Sequence, residues 1–144
     1  MNLERKVDFA IKLLQSIPTN DGPIELSYSG GKDSDVILEL ARMSGIPFEA
    51  IYKNTTIDPP GTIAHCKEQG VTIVNPKISF LKLVEKKGTP SRFARFCCEA
   101  LKEYKIYNRA IQGIRRYVGF IRRKKRSAFI CLYLNGRTRT LPDL

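Results

Sequence analysis

The hexapeptide Ser29-Gly30-Gly31-Lys32-Asp33-Ser34 joins a short strand pattern, Ile24 to Tyr28, to an amphipathic helix pattern running from Asp33 through Val36, Ile37, Leu40, Ala41 and Met43. A chain that leaves a strand, turns on two glycines and enters a helix at once has few ways to fold. The turn also has chemical consequences. Gly30 and Gly31 lack Cβ atoms, so their amides can approach an anion that a side chain would hold off. Lys32 supplies a mobile charge, Asp33 or Ser34 can cap the helix, and the helix's positive end adds to the pull. Those are the needs of a phosphate group. The six residues are not a Walker A loop, because GxxxxGK[ST] is absent. The plainer alternative is a glycine turn capped by Asp33, with Lys32 merely exposed.

The rest of the chain supplies a sheet for that loop to stand on. Leu3, Val7, Ala10, Leu14 and Ile17 recur at helical spacing and predict a helix over 2–17 ended by Pro18. After the loop and its helix, stopped at Gly45, the pattern alternates: strand at Phe48–Tyr52, helix at Gly61–Gln69, strand at Val71–Val74, helix at Ile78–Lys86. Such alternation predicts an α/β fold with a mostly parallel sheet and helices on both faces. Beyond Pro90 a helix is expected near Glu99–Tyr104 and a strand at Ala110–Ile114. Residues 128–134 and 137–141 flank Asn135-Gly136, a dipeptide suited to a tight primed turn, and predict a C-terminal β-hairpin. The 144 residues read as one domain.

Charge is unevenly placed. The net charge is +11, and between Glu103 and Asp143 there is no acidic residue. That stretch, 104–142, holds 11 of the 25 basic residues, leaving 14 to set against the 14 acidic ones. The excess therefore points to a polyanionic partner such as nucleic acid, or to several phosphates on one ligand. No window is apolar enough for a membrane span, and no signal peptide precedes the first helix, so a cytoplasmic protein without a membrane partner is expected. Four cysteines without a CxxC pair, and the single His65, offer no dedicated metal site.

In its setting the loop resembles the PP-loop of the adenine nucleotide α-hydrolase-like superfamily, which includes ATP pyrophosphatases and phosphoadenosine phosphosulfate (PAPS) reductases. Three later segments are similar to the PAPS reductase-like branch. Tyr52 to Thr62 resembles the polar segment after its second strand. Pro90-Ser91-Arg92-Phe93-Ala94-Arg95-Phe96-Cys97-Cys98, followed by Leu101-Lys102, resembles its P-[ST]-R-x-x-R-x-C-C-x-x-L-K signature. Gln112-Gly113-Ile114-Arg115-Arg116 resembles its G-I-R-R strand end. The resemblance implies a Rossmann-like sheet that binds ATP or PAPS in the crevice at the carboxyl ends of its strands. Ser29, Gly30, Gly31, Lys32, Asp33 and Ser34 would hold phosphates. Thr55, Thr56 and Asp58 would lie near the ribose or the reacting phosphate, with Lys32 and Asp58 as catalytic candidates and Mg²⁺ as a companion ion. Arg92, Arg95, Lys102, Arg115 and Arg116 would meet the anionic far end, a task suited to arginine forks.

The sequence also departs from that branch. The redox cysteine motif E-C-G-L-H of PAPS reductases is absent, and Cys131 lies in an alternating strand pattern that reads as core packing. Cys97-Cys98 matches the cysteine pair of related cluster-bearing reductases, but their later CxxC is missing, so the ligand set for an iron–sulfur cluster is incomplete. Relatives often continue with a further helical region, so the expectation is either that a second copy or a partner subunit completes the site or that the chemistry is reduced to binding. The expected function is an enzyme acting at the phosphate or sulfate of an adenine nucleotide. The alternative is a nucleic-acid-associated or non-catalytic nucleotide-binding protein.

Overall fold

The computed structural model describes residues 2–20, 22–104, 106–107, 109–115, 128–134 and 137–140. An N-terminal helix α1 (Leu3–Gln15) leads to strand β1 (Ile24–Tyr28), and helix α2 (Lys32–Ser44) leads on to β2 (Phe48–Lys53). Then follow α3 (Thr62–Glu68), β3 (Thr72–Val74), α4 (Phe80–Lys87), α5 (Phe96–Leu101), β4 (Arg109–Arg115), β5 (Ala128–Leu134) and β6 (Arg137–Thr140). The sheet order is β3-β2-β1-β4-β5-β6. The first four strands in that order are parallel, in register Tyr28 to Tyr52 and Leu26 to Ile111, with helices on both faces. The expected hairpin is present, and it extends the parallel sheet by pairing antiparallel to β4, Gln112 opposite Cys131. Its Asn135-Gly136 turn lies outside the described residues, but Leu134 pairs with Arg137, as a two-residue turn requires.

Helix boundaries differ from the sequence reading for local reasons, most at the end of α1, at both ends of α5, and at the start of α4, where Ser79 caps the helix by accepting from Lys82 N. The first helix ends at Gln15 because Pro18 disfavours helical backbone at the residue before it, and Ile17 turns into the core instead. Ser16 closes the helix with its hydroxyl on Leu13 O at 2.7 Å. Helix α5 begins at Phe96, three residues before the expected start, so Cys97 and Cys98 lie within it. It stops where Lys102 N and Glu103 N both turn onto Cys98 O. Among the described residues no helix is long and apolar enough to cross a membrane.

Strand β1 is buried on both faces, as the middle of a parallel sheet should be. One face is apolar. Ile24, Leu26 and Tyr28 meet Leu14, Leu38, Ala41, Tyr52 and Ile111 in a single cluster. The other face carries Glu25, only 1% exposed. Its Oε1 accepts from Lys53 Nζ at 2.7 Å and Ser27 Oγ at 3.2 Å, and its Oε2 accepts from Ile106 N at 3.3 Å. Lys53 also donates to Tyr104 O at 2.7 Å and lies 5.0 Å from the centre of the Tyr104 ring. Tyr107 donates to Glu49 of β2. These bonds tie the segment before β4 to β1 and β2, and so deliver β4 to the far side of β1.

Removing one partner of a buried ion pair strands the other charge, at about 3–5 kcal/mol. Lys53→Met should therefore destabilise the chain by about that much in urea titration, and adding Glu25→Gln should recover part of the loss. Equal loss in the single and double variants would show that the pair does not organise this face.

Candidate functional site

From β1 the chain proceeds to β2 on one side and later returns to β4 on the other, so the strand order reverses at β1. In open α/β sheets this is where a crevice opens at the carboxyl ends of the strands. An open cleft is found there, lined by Ser27, Tyr28, Ser29, Ile51, Tyr52, Lys53, Thr55, Asp58, Lys102 and Gln112.

The hexapeptide forms the cleft's rim and the start of α2. Gly30 has φ +76°, and a Cβ there would sit 2.8 Å from Thr62 Cγ2. Backbone strain and the close approach of α3 both demand glycine. Gly31, not Asp33 or Ser34, is the residue that caps α2. Ser34 reaches back instead. Its hydroxyl donates to Gly31 O at 2.6 Å, and it accepts from Gly31 N at 3.1 Å and Ser29 Oγ at 3.2 Å. A hydroxyl has one proton and two lone pairs, so Ser34 is wholly occupied in bracing the loop. Lys32 and Asp33 open the helix and face solvent. The first helical bonds run from Ser34 N and Asp35 N to Gly31 O, so the amides of Gly30 and Lys32 lie outside the ladder, at the end where a helix attracts anions.

Two carboxylates flank the loop in different surroundings. Asp58 gathers three donors on Oδ2: Tyr52 OH and Thr55 Oγ1, each at 2.5 Å, and Thr55 N at 3.1 Å. Burial works to raise its pKa, but the Thr55 and Tyr52 bonds and the nearby Lys102 charge outweigh it and hold the carboxyl below its ordinary 3.8. Asp35, one turn into α2, accepts from Tyr28 OH and lies 3.0 Å and 3.2 Å, through its two oxygens, from His65 Nε2. The Tyr28 bond chiefly lowers its pKa; His65 adds to this, against the opposing pull of burial. Burial and then the paired carboxylate push both phenols, Tyr28 and Tyr52, well above their usual range. Cys66, fully buried behind Gly30, has its thiol raised by burial first and then by Asp35 and Asp58. Such a thiol is a poor nucleophile.

The expected site residues divide by position. Ser29, Thr55, Asp58 and Lys102 line the cleft, while Gly30, Gly31, Lys32 and Asp33 form its rim. Thr56 turns away: at φ +67° its hydroxyl accepts from Phe80 N at 2.9 Å, joining the loop to α4. Arg92 and Arg95 are exposed and stand outside the cleft lining. Arg115 ends β4, and its side chain, like the whole of Arg116, lies outside what the structure describes. Sequence reasoning missed Ser27, Tyr28, Tyr52, Lys53, His65 and Gln112. Only the strand alternation that places Tyr28 beside Tyr52 could have signalled two of them. Among the described residues no group of three or more His, Cys, Asp or Glu side chains converges to hold a metal.

Asp35 and Asp58 are both held below 3.8 in the folded chain. Each therefore adds stability that is complete above the unfolded value and lost as acid protonates it through its lower folded value. Thermal unfolding should show Tm falling as pH drops below about 4, and Asp58→Asn should flatten that fall while lowering Tm at neutral pH. An unchanged acid limb would remove Asp58 from the account.

Over 147 aligned residues the chain is 34% identical to an uncharacterized protein, MJ0973, of Methanocaldococcus jannaschii. The alignment covers 89% of this chain and 36% of that protein, so the chain spans about a third of its relative's length. Residues 23–130, from the turn before β1 into β5, match the phosphoadenosine phosphosulfate reductase domain. That stretch holds the loop, both carboxylates and the whole lining of the cleft, and by it the chain belongs to the phosphoadenosine phosphosulfate reductase domain family.

Proposed function

We propose that the chain binds an adenine nucleotide, ATP or PAPS, with its phosphates at the Gly30–Lys32 end of α2 and its nucleoside in the cleft between β1, β2 and β4. The observation that carries this reading is Gly30 itself. Its positive φ and its contact with α3 hold an open glycine turn at a helix N-terminus, beside a polar cleft at the sheet's switch point. Lys32 supplies the positive charge. Asp58 and Lys102, which line the cleft, would face the bound ligand, and Arg115 ends the strand that borders it. With ATP, the nucleophilic oxygen of an acceptor or of water forms a bond to the α-phosphorus as pyrophosphate leaves, giving an adenylylated acceptor or AMP, and the loop amides and Lys32 stabilise the charge that develops. With PAPS, a thiol of an external dithiol donor attacks the sulfur as adenosine 3′,5′-bisphosphate leaves, and the donor's second thiol then releases sulfite and closes the disulfide, since the family's own redox cysteine motif is absent. A magnesium ion would arrive on the nucleotide's own phosphates, since the described side chains form no cage for it.

Calorimetric titration with ATP and with PAPS, followed by assays for pyrophosphate and sulfite, tests the reading and separates its two chemistries. Lys32→Ala should weaken binding about ten- to a hundred-fold, as loss of a charge-assisted contact does. Gly30→Ala should abolish binding. Failure of both nucleotides to bind the unaltered chain would falsify the proposal.

The charge excess of 104–142 favours a second reading, in which the same protein also engages a polyanion. Neutralising Arg122, Arg123, Lys124, Lys125 and Arg126 should then lower affinity for nucleic acid and flatten its dependence on salt. Binding indifferent to salt in the parent chain would count against it.

A further inference from the structure

The turn between α4 and α5 has a composition that the cleft does not use. At its tip Phe93 is 98% exposed, the most exposed large hydrophobic among the described residues. The turn is closed on itself. Ser91 N donates to Ala94 O at 3.3 Å, and Ala94 N donates to Ser91 Oγ at 3.1 Å, so the ring is held outward rather than left to fold back. Arg92 and Arg95 flank it, both exposed, and among the described residues neither pairs with a carboxylate. Arg95 reaches only the weak acceptor Cys98 Sγ, at 3.9 Å. Lys87 Nζ lies 5.6 Å from the centre of the Phe96 ring, which brings the cationic end of α4 up to α5 beside this turn. Residues 77–102 carry seven Lys and Arg against two Glu, a second basic region apart from 104–142.

An isolated apolar ring gives a protein partner little area to bury. A ring presented among unpaired cations offers something else: a stacking face with phosphate contacts on either side. A duplex keeps its bases stacked inside and could not use that face. We propose that this turn binds single-stranded nucleic acid, one base stacking on Phe93 and the adjoining phosphates meeting Arg92, Arg95 and the exposed Lys86 and Lys87 of α4. This does not rest on nucleotide binding in the cleft, which none of these four cations or Phe93 lines. It is also independent of the C-terminal basic segment.

Fluorescence anisotropy of the full chain with a labelled oligothymidylate of about 12 nucleotides tests the proposal, with a duplex of the same length and heparin as comparisons. The single strand should bind more tightly than either. Phe93→Ala should lose about five-fold or more in affinity, and Phe93→Trp should retain it. Arg92→Ala with Arg95→Ala should reduce the salt slope by about 1.4, whereas ATP titration of Phe93→Ala should match the parent. The proposal is overturned if Phe93→Ala binds the strand as tightly as the parent, or if duplex or heparin binds as well as the single strand. It is equally overturned if Phe93→Ala loses ATP and keeps the strand, which would make the turn a cover for the cleft. Thermal unfolding of each variant should match the parent, because these side chains lie in solvent.

Discussion

The backbone at Gly30 carries three duties at once. It ends a strand buried on both faces, it starts a helix within two residues, and it lets α3 approach to a distance no side chain would allow. A left-handed conformation achieves the first two in one step, and the absent Cβ achieves the third. Because α3 closes on Gly30, Cys66 and His65 are carried to the underside of the loop, where His65 meets Asp35 of α2. The tyrosine at the end of β1 completes that contact from the sheet. Strand, loop and two helices are thus locked by one glycine and one carboxylate. The amides at the loop's open end are fixed in direction before any ligand arrives, the condition under which fixed dipoles stabilise charge well.

Strand β1 also explains why the sheet reverses where it does. Its apolar face closes a conventional core with α1 and α2. Its second face holds a buried carboxylate, which must be paired and fully bonded to be tolerated. The partners come from β2, through Lys53, and from the segment before β4, through the Ile106 amide. A charge buried in the central strand thereby recruits the chain that forms its other neighbour. The cleft lies above this network, and Ser27, Lys53 and Gln112 belong to both. Packing of the second face and shape of the cleft are therefore one structural feature.

Most of the architecture was legible in the sequence because periodicity and glycine punctuation are local. The β1 strand was read to its exact bounds, and the hairpin was placed within one residue of its far end. The cysteine pair was misjudged as preceding its helix because Cys-Cys carries little helical pattern, and the start of α5 is set by the turn before it. In the site, the loop and Asp58 could be found from their motifs. Tyr28, Tyr52, His65 and Lys53 could not, since each acts through a partner six or more residues away that only the fold brings near. Ser34 shows the converse. Its motif marks it as a ligand to phosphate, and the geometry spends its hydroxyl on the loop.

The two tyrosine–aspartate pairs separate positioning from chemistry in this site. They occupy matched places, Tyr28 and Tyr52 being register partners on neighbouring strands. Asp35 has both oxygens engaged, one by Tyr28 and both by His65, so it serves to join α2 to α3. Asp58 has every described donor on Oδ2 and lines the cleft with Lys102, whose charge helps to hold the carboxyl ionised. Held ionised by those donors, it is an acceptor prepared for a hydroxyl, and it meets a dianionic phosphate at a disadvantage unless Lys102 screens it. On the proposed reading, the balance between that carboxylate and that ammonium bears on whether a ribose hydroxyl or a 3′-phosphate is the better occupant of the cleft. The glycine loop, proposed to meet phosphates that ATP and PAPS share, has no part in that choice.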